Sequence, residues 1–176
     1  MLARKKKSLV DVIEYRNSLI VVNHFYFRPM LHWQLKPFKE LSNAELYAVL
    51  KLRQEVFIVE QNCPYLDNDG KDIYAHHLLG YFENELAAYS RLLPKNISYE
   101  EVSIGRVVTA TKFRGKDFGK LLVQKSIEEL ENLYGQVPIR IGAQAYLKKF
   151  YESFGFEDLN EPYMEDGIPH LIMLRK

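Results

Sequence analysis

The sequence is poor in the features that would commit it to several common protein classes. A single cysteine, Cys63, excludes an internal disulfide and a CxxC metal or redox pair, and predicts a reducing, cytoplasmic setting. Long apolar runs are scarce near the N-terminus. The run Leu19 to Val22 has four residues, far short of the roughly 18 that mark a membrane span. Net charge is almost absent, with 24 Lys and Arg against 23 Asp and Glu, so nothing general attracts nucleic acid or an anionic membrane. Repeats and low-complexity tracts are lacking as well. What is present, 176 residues at 47% hydrophobic and 13% aromatic, can bury one sizeable core and leaves no room for a second full catalytic domain.

Near-neutrality conceals two unequal parts. Residues 1–29 set Arg4, Lys5, Lys6, Lys7, Arg16 and Arg28 against Asp11 and Glu14, a net +4, while residues 30–176 sum to −3. The acids interrupt the apolar stretch, which argues against a secretory signal or a mitochondrial presequence. This segment reads as a strand-rich decoration or as sequence upstream of a start at Met30, with a basic arm for nucleic acid or lipid as the alternative.

From Met30 onward, Trp33 and Leu35 before Pro37 predict a short strand, and Ser42-Asn43-Ala44-Glu45 has the form of a capping box opening a helix to about Glu60. A loop over 62–72 follows. Strands are predicted over 77–82, 86–93 and 102–110, then a helix from Phe118 to Gly135, a strand over 138–142, a helix over 145–154 capped by Gly155, and a last strand over 168–174, after turns at Pro162 and Gly167. This pattern predicts a mixed α/β sheet covered by helices, distinct from a doubly wound nucleotide fold.

One turn carries chemistry. Arg114-Gly115-Lys116-Asp117-Phe118-Gly119-Lys120 joins a predicted strand to a predicted helix, where glycines let N–H groups converge and the helix N-terminus favours an anion. The spacing fits neither GxxxxGK[ST] nor GxGxxG. Other candidate sites are weaker. Counting from Asp67, the twelfth position of a calcium loop is Leu78, not glutamate, and the adjacent His76 and His77 point to opposite strand faces with no HExxH. No metal is expected. Cys63, beside Pro64 and without a base nearby, reads as a small apolar side chain.

The 114–120 turn resembles motif A, (Q/R)xxGx(G/A), of the GNAT superfamily of N-acetyltransferases, with Asp117 in place of the middle glycine. Residues 144–156, which contain Phe150-Tyr151 and Gly155-Phe156, resemble the second GNAT signature, Gln144 standing where the family usually has Asn. Together with Arg53-Gln54-Glu55-Val56-Phe57, residues 59–65, Ile104-Gly105-Arg106-Val107-Val108 and residues 163–170, the chain is similar to the ElaA-like branch from about Met30 to its end.

That resemblance implies an acyl-CoA N-acyltransferase fold, with a mostly antiparallel sheet splayed between the motif A strand and the next. It implies acetyl transfer from acetyl-CoA directly to an amine of a small molecule or peptide. Cofactor contacts are implied at Val107, Val108, Thr109, Arg114, Gly115, Lys116, Phe118, Gly119, Lys120 and Gln144. Tyr151 is implied as the general acid. Glu101 falls where some family members place a base, with Glu60 as runner-up. Shared motif membership implies an acceptor pocket from Glu60, Tyr65, Asp69, Glu165, Asp166 and His170, and Asp72-x-x-x-His76, which resembles the ElaA-like pattern, implies a core or acceptor-pocket role for His76. No nucleic-acid or membrane partner is implied, and a homodimer is left open. Two rival readings stand beside this one: a non-catalytic acyl-CoA sensor on the same fold, and an interaction protein acting through residues 1–29.

Overall fold

The computed structural model describes residues 10–15, 18–23 and 30–176, and it divides into two units, Met1–Met30 and Leu31–Lys176. In the smaller, β1 (Val10–Tyr15) and β2 (Ser18–Asn23) pair antiparallel, Val10 opposite Asn23 and Tyr15 opposite Ser18. Arg4, Lys5, Lys6, Lys7, Arg16 and Arg28, the charges of a basic arm, lie outside the described residues.

The larger unit opens with β3 (His32–Pro37) and α1 (Asn43–Arg53). The capping box forms as the sequence predicts: Glu45 N–H donates to Ser42 Oγ at 3.2 Å, and Ser42 N–H donates to Glu45 Oε2 at 2.8 Å. Beyond Arg53 the helical path continues to Glu60, but as a π-helical segment, Gln54–Glu60. Val49, Leu52 and Val56 are the buried apolar face.

The remaining elements are β4 (His76–Phe82), β5 (Glu85–Leu93), β6 (Val102–Thr109), α2 (Phe118–Tyr134), β7 (Ile139–Gln144), α3 (Lys148–Glu152), β8 (Glu157–Glu165) and β9 (Ile168–Arg175). Seven strands form one sheet in the order β3-β4-β5-β6-β7-β9-β8. Every neighbouring pair is antiparallel except β6 and β7, which α2 connects as a parallel pair.

α2 shows why this sequence makes a helix here. Phe118, Leu122, Val123, Ser126, Ile127 and Leu130 recur on one face and are all buried, and Gly135 ends the helix at φ +79°. The core has two clusters. Leu78, Leu79, Ala88 and Tyr89 pack with α1 and the start of α2; Ile104, Ile139, Ile141, Tyr151, Phe156 and Met173 pack with the rest of α2.

Two expectations need correction. The region around Pro162 is strand β8, not a turn. It is an outer strand with an irregular register between Asp158 and Pro162 and with Asn160 at φ +58°, so polar residues sit in it at little cost. The helix expected over 145–154 is a 3₁₀ turn, Ala145–Leu147, followed by the five-residue α3.

Candidate active site

β6 and β7 are hydrogen bonded only at Val102 with Ile139 and Ser103 with Arg140. Past those rungs both strands run on unpaired with each other, β6 to Thr109 and β7 to Gln144, so the sheet opens into a wedge. On its other side β6 is bulged. One residue of β5 between Tyr89 and Arg91 faces two of β6, and Arg106 there has φ +49°. Val107, Val108 and Thr109 follow the bulge and border the wedge. A cleft of about 970 Å³ runs along it.

Past the C-terminal end of β6, the 114–120 turn leads into α2. Gly115 has φ +77° and Asp117 has φ +61°, so two left-handed residues shape the turn. The replacement of glycine by Asp117 therefore keeps the positive φ, because Asp is one of the few other residues that visit this region. Phe118 and Gly119, at the first turn of α2, have N–H groups with no helical partner by position. Lys120 differs from expectation: its N–H donates to Asp117 O at 3.0 Å and is spent. Lys116 differs too. Its side chain does not border the cleft, and its ammonium lies 5.7 Å from the centroid of the Phe82 ring. Arg114, Gly115, Phe118, Gly119 and Lys120 do border it.

Tyr151 reaches the same cleft from α3 at 7% exposure, its ring edge-on to Phe150 and Phe156 at centroid distances of 5.1 and 5.9 Å. Burial, with Tyr146 adding a little, pushes its phenol well above the usual range, so the hydroxyl keeps its proton at neutral pH. Gln144, at the end of β7, borders the cleft and donates to Gln61 Oε1 at 3.2 Å.

The two candidate bases are both held in ion pairs. Glu60 accepts from Arg114 at 2.8 and 3.0 Å and from the Thr111 hydroxyl at 2.8 Å. Arg114 foremost, then Thr111, holds its carboxyl below the usual range. Glu60 thus borders the cleft with both carboxylate oxygens engaged by Arg114 and Thr111. Glu101 pairs with Arg140 at 2.8 Å, which lowers its pKa in the same way, and it does not border the cleft. A carboxylate of lowered pKa is a poor match to proton abstraction near neutrality.

The acceptor-pocket candidates divide. Tyr65, Glu165, Asp166 and His170 border the cleft. His170 Nδ1 lies 2.8 Å from Ile168 O, and its ring packs against Tyr163 at 5.3 Å. His76 does not border the cleft; its neighbour His77 is the fully buried histidine, 2.8 Å from the Tyr89 hydroxyl and 3.1 Å from Asp72 O. Asp69 borders the cleft but is not a free acid.

Asp69 belongs to a charge cluster that sequence reasoning missed. Arg53, with no exposed surface, donates to Asp67 Oδ2 at 2.7 Å, Asp67 O at 2.9 Å and Asp72 Oδ1 at 2.8 Å. Arg91 grips both oxygens of Asp69 at 2.7 Å and reaches Asp72 at 3.0 Å. Arg106, the bulge residue, donates to Asp67 Oδ1 at 2.7 Å. Three arginines balance three aspartates, so the loop over 62–72 is tied to β5 and β6 as a neutral unit. Arg91 and Arg106 in largely apolar strands were the available signal, since a charge in such a setting needs a partner.

Tyr99 and Tyr163 were also missed. Both hydroxyls sit over Gly142 of β7, where a Cβ would collide with Tyr163 and come within 3.0 Å of Tyr99. Tyr163 in turn donates to Glu165 at 3.2 Å. Among the described residues no helix is long and apolar enough to cross a membrane, and no three His, Cys, Asp or Glu side chains converge as metal ligands.

A seven-stranded mixed sheet opened at its one parallel pair, with an anion-receptive turn beside the opening, is the architecture of an N-acyltransferase. Residues 55–176 match the family model described as an acetyltransferase (GNAT) domain. The chain belongs to the GNAT acetyltransferase family, in its ElaA-like branch. Protein ElaA of Escherichia coli is 46% identical over 149 residues, spanning 84% of this chain and 97% of that protein. The crystal structure of ElaA superimposes with a TM-score of 0.78, covering 84% of this chain and all of that one. An acyl-CoA N-acyltransferase from Pseudomonas aeruginosa has 41% identity and a TM-score of 0.78, covering 83% of this chain and all of that one.

Proposed function

We propose that this acyltransferase moves acetyl from acetyl-CoA directly to an amine of a small molecule or peptide. The observation that carries the reading is the wedge between β6 and β7, bordered on one side by Val107 to Thr109 and leading to the turn at the start of α2. In this reading the pyrophosphate takes the N–H groups of Phe118 and Gly119 with Lys120 adding charge and Arg114, shared with Glu60, beside it, and the pantetheine arm lies along β6. A backbone N–H after the Arg106 bulge polarises the thioester carbonyl, an interaction whose loss typically costs about 10²- to 10³-fold in rate.

The amine attacks the carbonyl carbon, the C–S bond breaks, and the Tyr151 hydroxyl gives its proton to the departing sulfur. The amine sheds its own proton through solvent in the cleft, since Glu60 and Glu101 are committed to Arg114 and Arg140. The P. aeruginosa relative, described as an acyl-CoA N-acyltransferase, supports the donor class. Release of CoA thiol from acetyl-CoA over small amines, polyamines, amino acids and peptide N-termini tests the reading, with thermal shift beside it. Saturating turnover on one class is expected. CoA-dependent stabilisation without thiol release on any amine leaves the sensor reading instead, and no stabilisation removes both.

A further inference from the structure

The cleft holds a positive group that the acetyl-transfer reading does not use. Lys71 borders it half-buried, its ammonium donating to Ser98 Oγ at 3.1 Å, and no carboxylate pairs with it among the described residues. The neighbouring arginines are matched one for one by Asp67, Asp69 and Asp72, so Lys71 is the unbalanced charge of that wall. Beside it, two buried side chains have unused hydrogen-bonding capacity. Arg91 Nε and Ser103 Oγ lack partners among the described residues, at 2% and 1% exposure, and both residues border the cleft. The ladder sets Arg91 opposite Gly105 and Leu93 opposite Ser103, so Arg91 and Ser103 face the same side of the sheet. Burying such donors without an acceptor is unfavourable, and a ligand oxygen beside them would remove that cost.

We propose that Lys71, with Ser98, Ser103 and Arg91 Nε–H, binds a carboxylate of the acceptor, so that the substrate is an amine that also carries an acid. This rests on the acetyl-transfer reading for the position of the amine, at Val107 and Tyr151. Val107 is four positions beyond Ser103 on β6, about 13 Å at the usual rise and less across the bulge. The acceptor is therefore a short peptide with a free C-terminus or an ω-amino acid, in which a spacer separates amine from acid. A lone α-amino acid is too short, and a polyamine brings the wrong charge to Lys71.

The test titrates the CoA-loaded protein with triglycine and 6-aminohexanoate, and in parallel with triglycinamide and hexylamine, by calorimetry and thermal shift. The acids are expected to bind at least tenfold more tightly than their neutral counterparts. Lys71→Met removes that difference and Lys71→Arg keeps most of it. Equal binding of acid and neutral compound, no binding of either, or a difference that survives in Lys71→Met overturns the proposal. Thiol release over the same series separates it from the reading beneath. Acid-selective binding without release leaves the carboxylate site standing and removes acetyl transfer; release without acid preference does the reverse.

Discussion

Replacing Arg53 with methionine tests whether the arginine–aspartate cluster holds the cleft wall. The variant keeps an unbranched apolar stem and loses three hydrogen bonds of 2.7, 2.9 and 2.8 Å, leaving Asp67 and Asp72 at 6% and 8% exposure. Breaking a buried pair from one side costs about 3–5 kcal/mol. Here the lower end applies, because Arg106 still meets Asp67 and Arg91 still meets Asp72. About 3 kcal/mol at roughly 2–4 °C per kcal/mol gives a Tm lower by about 6–12 °C in calorimetry at pH 7. The pH dependence has a definite sign. Burial alone raises the Asp69 and Asp72 carboxyls, but Arg91 at Asp69 and Arg53 with Arg91 at Asp72 outweigh it and hold both below the usual range. Their contribution is complete above the unfolded value of about 3.9 and is lost as pH falls through it toward the folded values. The wild type should therefore lose stability steeply below about pH 4, and Arg53→Met less steeply. A Tm within about 2 °C of wild type would refute the account, since even half the lowest cost would exceed that shift.

Three further outcomes bear on chemistry. Tyr151→Phe keeps the ring packing and removes the proton, so kcat should fall about 10²-fold or more while KM for acetyl-CoA stays within about twofold. Because burial raises the Tyr151 pKa, that deficit should be constant from pH 6 to 9; unchanged turnover would remove Tyr151 as the acid. Asp117→Gly keeps the left-handed turn and deletes a carboxylate beside the anion site, and should lower KM for acetyl-CoA a few-fold, most at low salt, with kcat unchanged. A higher KM would mean that Asp117 instead orders the turn through Lys120. Gly142→Ala pushes Tyr163 and Tyr99 from their seats, and steady-state kinetics should show KM for the acceptor rising with KM for acetyl-CoA kept. An equal rise in both would place those tyrosines outside acceptor binding.

What could be read from the sequence was mostly local. The capping box at Ser42, the apolar stripe of α2 and its stop at Gly135 are patterns within a few turns of chain, and they fold as predicted. The glycine-containing turn at 114–120 between a strand and a helix was likewise legible from its residues. β8 escaped notice because an outer strand has one solvated edge and so carries neither apolar alternation nor freedom from Pro. The Arg53, Arg91 and Arg106 pairs escaped for a different reason. They join residues 14 to 39 positions apart, and which aspartate meets which arginine is decided by how the 62–72 loop folds over α1, β5 and β6. Likewise the ion pairs that hold Glu60 and Glu101 depend on Arg114 and Arg140, each contributed by a separate element.

The opening between β6 and β7 gives this sheet four edges instead of two. The outer pair is guarded in ordinary ways: β3 ends in Pro37, and β8 carries Glu157, Asp158, Glu161 and Pro162 with an irregular register. The inner pair needs no such guards, because two strands still joined at Ser103 and Arg140 leave a gap that narrows to nothing. A foreign strand docking on either inner edge would have to enter that taper alongside the other. The taper thus turns away another protein's backbone, so two unpaired strand edges can persist inside the molecule without inviting aggregation.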